Sequence, residues 1–235
     1  LFPGALGPAN WRANAKDDDG YRALVRGYNQ HLWEEFCPTA PDRIFGLGVM
    51  PVTGVDDAIA EMEQCMRNGL IGIDLCAFPS GLSHPSPDDD RFWAAAVEMH
   101  CPITVHVEFS YPVSTSTGVP TGVSPRSYGG AAAGPVFIYP KRPEKGFNDI
   151  ILRYAKYGIR GALHAVQMLW AGVFERFPSL QIYFAETQIG WIPNFYEQMD
   201  QHYLRHQLWT EKLLGLKTFD MLPSDYLKQH CYWGF

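Results

Sequence analysis

Ile103-Thr104-Val105-His106-Val107-Glu108 decides the reading of this chain. A period of two puts Thr104, His106 and Glu108 on one face of a strand and Val105 and Val107 on the other. Pro102 lies directly before it and breaks a helical window, Asp90 to His100, that carries Phe92, Trp93, Ala96 and Met99. The same unit occurs upstream. Asp56-Asp57 opens a helical pattern with Ala58, Ile59, Met62, Cys65 and Met66 on one side, and Gly69 stands where a C-terminal cap belongs. Ile71 to Cys76 follows as a strand, and Ile44 to Met50 is a further short apolar run before Pro51. Downstream, Leu163, Val166, Trp170, Val173 and Phe177 recur at helical spacing until Pro178. Leu180 to Ala185 reads as a strand, Ile192 to about Trp209 as a helix, Ser224 to Gln229 as a short helix and Cys231 to Phe235 as a strand.

Strands alternating with helices predict an α/β fold with a parallel sheet covered by helices. The strands are almost wholly apolar, as burial on both faces requires. An open doubly wound sheet and a (β/α)8 TIM barrel both fit. Neither G-x-G-x-x-G nor G-x-x-x-x-G-K-[ST] occurs, which favours the barrel. Barrels of this kind typically need about 250 residues, and the chain has 235. Residues 108 to 147 break the alternation. They are rich in Ser, Thr, Gly and Pro, with Phe109, Tyr111, Tyr128, Phe137 and Tyr139 among them. That composition predicts a long ordered loop inserted into a single domain, 1–235.

Composition excludes several function classes. With 19 Lys+Arg against 25 Asp+Glu the net charge is −6, so no basic face is offered to nucleic acid. No run of about 18 apolar residues predicts a membrane-spanning helix. The five cysteines form no C-x-x-C. They are expected as buried thiols in a reducing cytosol, hence a cytoplasmic protein, with a reactive Cys nucleophile as the alternative. The aromatic content is compatible with a homodimer.

In a barrel, chemistry sits where strands end, which selects Asp74, His106, Glu108 and Glu186. His106 is read either as a zinc or manganese ligand or as a hydrogen-bonded core histidine. Glu186 follows Leu180-Gln-Ile-Tyr-Phe-Ala185 directly, and a buried acid there needs a partner or a cation. Asp74, inside its strand, is expected as a structural acid bonded to backbone or to an arginine. His202 and His206 are four apart on a helix, but position 203 is Tyr, so a solvated helix face is expected rather than H-E-x-x-H. His164 falls near a helix start with no assigned role. His31, His84, His100 and His230 are expected as surface or packing residues. No G-x-S-x-G elbow occurs.

Several strings together resemble the amidohydrolase-2 (amidohydrolase-related) family. They are Tyr28-Asn29, Trp33-Glu34-Glu35-Phe36-Cys37, Ala40-Pro41-Asp42-Arg43, Phe92-Trp93-Ala94-Ala95-Ala96 and Pro102 to Val107. The most specific is Gly172-Val-Phe-Glu-Arg-Phe-Pro-Ser-Leu180, which runs into Phe184-Ala185-Glu186 and Gly190-Trp191-Ile192-Pro193. The resemblance implies a metal-dependent (β/α)8 barrel similar to aminocarboxymuconate-semialdehyde decarboxylase and the resorcylate-type decarboxylases. It implies a divalent ion, zinc or manganese, with His106 as the metal ligand of the family's fifth strand. It places Glu186 where the sixth strand often ends in a catalytic His. It also implies that Leu1-Phe2-Pro3 ends the second strand and that Cys231 to Phe235 is the seventh. Strands one and eight, with the H-x-H or E-x-H pair and the last Asp, are therefore expected outside these residues, as in a fragment. The function so implied is decarboxylation, or hydrolysis, of a small carboxylated aromatic or unsaturated substrate. Hydrolysis of a lactone or amide by metal-bound hydroxide is the alternative within that class, and a non-catalytic degenerate barrel or oligomer scaffold the alternative outside it.

Overall fold

The computed structural model describes residues 11–12, 14–82, 84–107, 109, 159–216 and 218–235. Five parallel strands lie in sequence order: β1 (Leu47–Val49), β2 (Gly72–Asp74), β3 (Ile103–His106), β4 (Ile182–Ala185) and β5 (Cys231–Trp233). Helices connect them. α1 (Asp18–His31) precedes β1, α2 (Val55–Arg67) joins β1 to β2, and α3 (Asp90–Glu98) joins β2 to β3. Among the described residues between β3 and β4 are α4 (Arg160–Trp170) and α5 (Val173–Arg176), and α6 (Ile192–Leu214) and α7 (Pro223–His230) lead to β5. Of the loop expected at 108–147, only Phe109 is among the described residues; Glu108 and Leu1-Phe2-Pro3 lie outside them.

The strands form because Ile73, Ile103, Val105, Ile182 and Phe184 are buried on one side of the sheet, against the helices. α2 turns Ala58, Met62 and Cys65 into that layer, and α3 contributes Phe92, Trp93 and Ala96. α4 adds Ala162, Ala165, Met168 and Leu169. These are the 3–4 residue spacings that the sequence displays. The periodic run expected to continue to Phe177 is two helices, because Gly172 takes φ 71° and ends the first. Arg176 then clamps α5 to α3: its Nε and Nη2 donate to the two carboxylate oxygens of Asp90 at 2.7 and 2.8 Å. α6 is longer than expected and carries no buried residue.

α1 is the element that periodicity did not reveal. Its start is a regular cap, in which Asp17 accepts a hydrogen bond from the Gly20 amide at 2.8 Å and Asp18 and Asp19 fill the first turn. Its buried face is Tyr21, Val25 and Asn29. Asn29 is wholly buried, and its amide bonds the Val49 N–H at 2.7 Å and the Val49 carbonyl at 2.9 Å. That side chain gives β1 the two hydrogen bonds a neighbouring strand would give.

Candidate active site

Register sets the face on which chemistry can occur. Val49 pairs with Asp74, Asp74 with Thr104, Thr104 with Tyr183 and Tyr183 with Tyr232. One step higher, His106 pairs with Ala185. His106 is two residues beyond Thr104, so it shares the face of Asp74.

His106 and Glu186 meet at the C-terminal ends of neighbouring strands, with Nε2 3.3 Å from Oε2. The backbone after each strand produces this meeting. Val107 has φ 65° and Glu186 φ 55°, the left-handed region that a β-branched residue strongly resists. Each is held there by neighbours. The Val107 N–H bonds the Ala185 carbonyl at 2.9 Å, and the Thr187 N–H bonds the Gly234 carbonyl at 2.9 Å. Thr187 is wholly buried, and its hydroxyl donates to the Phe184 carbonyl at 3.1 Å. Glu186 is therefore fixed between two residues locked to adjacent strands, and its carboxylate is left to reach His106. Backbone strain of about 1–3 kcal/mol per residue persists only where the surroundings impose it, and it gathers at functional sites.

The start of α4 supports this corner. A Cβ at Gly161 would fall 2.9 Å from the Val107 carbonyl oxygen and 3.0 Å from both Phe184 and Thr187. One turn on, His164 is wholly buried. Its Nδ1 lies 3.1 Å from Gln167 Oε1, and its ring meets Phe109 and Phe78 edge-on at 5.0 and 6.1 Å. Below Glu186, Trp233 stacks on Phe184 at 4.7 Å, meets Trp191 edge-on and donates from Nε1 to the Tyr196 hydroxyl at 2.8 Å.

Asp74 departs from the expectation of a bonded structural acid. It is 4 % exposed, and its Oδ1 has no hydrogen-bond partner among the described residues. Burial pushes its carboxyl up to about 6, and the nearby charge of His106 draws it back in part. Its own charge adds to the effect of burial on Tyr28 and on Cys76, whose thiol is pushed up to about 12. All five cysteines are free. Cys101 is likewise raised to about 12 by burial, and Cys65 and Cys231 are raised too. Thiols held so far from ionisation are poor nucleophiles, which supports the reading as packing residues.

The other histidines behave as packing or surface groups. His202 is exposed, and His206 Nδ1 accepts from Trp209 Nε1 at 2.8 Å. His31, His84 and His100 are exposed, while His230 is buried, its Nδ1 2.7 Å from the Leu180 carbonyl oxygen. Among the described residues no three His, Cys, Asp or Glu side chains are grouped as a metal ion requires. His106 offers one imidazole nitrogen, with the Glu186 carboxylate beside it. An imidazole suits a divalent ion such as zinc or manganese as one of the several donors that such an ion needs.

Residues 1–215 match the family described as Amidohydrolase. The chain belongs to the amidohydrolase family. The parallel strands of this amidohydrolase are part of a (β/α)8 barrel. A decarboxylase, orsB, of Emericella nidulans is 26 % identical over 159 residues, which is 67 % of this chain and 42 % of that protein. The structure of 5-carboxyvanillate decarboxylase LigW from Sphingomonas paucimobilis superposes with a TM-score of 0.66 at 18 % identity, covering 99 % of this chain and 58 % of that one. The Novosphingobium aromaticivorans 5-carboxyvanillate decarboxylase LigW2, with bound manganese and 3-methoxy-4-hydroxy-5-nitrobenzoic acid, gives 0.66 at 20 % identity, covering 96 % and 56 %. The amidohydrolase chain thus spans little more than half the length of these structures. No helix among the described residues is long and apolar enough to cross a membrane.

Proposed function

We propose that the protein is a metal-dependent decarboxylase of a small aromatic or unsaturated carboxylic acid. The meeting of His106 and Glu186 at 3.3 Å, on strained backbone at the ends of adjacent strands, carries this reading. Its likeness to decarboxylases, one of them holding manganese and a substituted benzoate, supports it. A divalent ion, when bound, acts as a Lewis acid that anchors the substrate and stabilises developing charge. His106 would hold that ion, with further ligands from outside the described residues. Glu186 serves as the proton donor. When the bond from the ring carbon to the carboxyl group breaks, carbon dioxide leaves and its electron pair stays on the carbon. The Glu186 carboxyl gives its proton to that carbon and is reprotonated from water.

Incubation with hydroxybenzoates and unsaturated dicarboxylates, with manganese or zinc supplied, tests the reading by the products formed. Released carbon dioxide with a ring hydrogen in place of the carboxyl group is the expected result. A ring-opened or cleaved acid without carbon dioxide would replace it with hydrolysis. No turnover and no bound metal would leave a scaffold.

A further inference from the structure

Asp74 is the buried acid that the proposed chemistry does not use. It lies on β2, on the same face as His106, and is paired in register with Thr104, two residues before that histidine. It is 4 % exposed, and its Oδ1 has no hydrogen-bond partner among the described residues. A carboxylate kept in this state costs stability, because burial removes its water and returns no donor. Packing alone would favour an apolar or amide side chain here. A histidine that holds a metal is commonly oriented and made more basic by a carboxylate behind it. We propose that Asp74 is a positioning residue that tunes and orients His106 for a divalent cation, at the expense of the stability of the metal-free fold. This rests on the metal role given to His106 above.

The combination predicts two opposite effects of one substitution. Asp74→Asn keeps the shape and removes the charge. In the full-length protein at pH 7.5, the metal-free melting temperature is expected to rise. Manganese affinity, read from the dependence of melting temperature on added manganese chloride and from competition with a chelating dye, is expected to fall about ten- to a hundred-fold. Asp74→Ser, smaller and also uncharged, should lower the affinity in the same way. His106→Ala should abolish the manganese-dependent shift. A metal-free melting temperature that falls with Asp74→Asn would make Asp74 an ordinary structural residue and overturn the proposal. Unchanged manganese affinity in both Asp74 variants, with the His106→Ala effect present, would overturn it while leaving His106 as the ligand. A wild-type chain with no manganese-dependent shift would overturn both.

Discussion

At the scale of single residues, the corner formed by His106 and Glu186 makes separable demands. Glu186→Gln keeps the size and removes the carboxyl proposed as proton donor, so turnover should fall about 10²- to 10⁴-fold while bound metal is retained. His106→Ala should lose both. Metal analysis alongside a carbon dioxide assay distinguishes the two outcomes. His230 gives a pH signature far from that corner. Burial lowers it from its ordinary 6.5, and its bond to the Leu180 carbonyl opposes the change in part. The unfolded chain then binds more protons than the folded one just below pH 6.5, so the His230 contribution to stability is lost as the pH falls through that range. In urea titrations the change of stability with pH just below 6.5 should be less positive in His230→Gln than in the native chain, while the raised Asp74 carboxyl acts in the opposite sense in both.

At the scale of elements, the tightest joint is between α4 and the ends of β3 and β4. Gly161→Ala pushes a methyl group against the Val107 carbonyl, which is backbone and cannot swing aside. A loss of about 1–3 kcal/mol is expected from such overpacking, with a matching drop in melting temperature. α1 has its own joint. Asn29→Leu strips two hydrogen bonds from Val49 and one from buried Glu61, whose Oε1 accepts from Asn29 Nδ2 at 2.8 Å. The expected cost is about 2–4 kcal/mol, measurable by urea unfolding. The family string Gly172 to Leu180 also gains a physical meaning here. Gly172 permits the left-handed turn, Val173 and Phe174 fill the core, and Arg176 clamps Asp90.

At the scale of the whole molecule, the parallel α/β architecture was legible because burial on both faces leaves near-continuous apolar strands, and amphipathic helices separate them. Ile103 to Val107 and Leu180 to Ala185 are read correctly for that reason, within one or two residues. α1 was not legible by the same signal, since it buries only Tyr21, Val25 and Asn29, one of them polar. His106 and Glu186 could be singled out because a polar residue ending an apolar strand has few structural uses. Their contact could not, because it depends on the parallel register of β3 with β4 and on left-handed backbone at Val107 and Glu186. Asp74 shows the same division. The sequence placed an acid in a strand, and only tertiary packing decided that its Oδ1 is buried without a partner on the face of His106. Local pattern determines which segments become strands and helices, because periodicity and burial act along the chain. Which side chains meet is decided by register and strain between segments, and no stretch of the chain encodes these by itself.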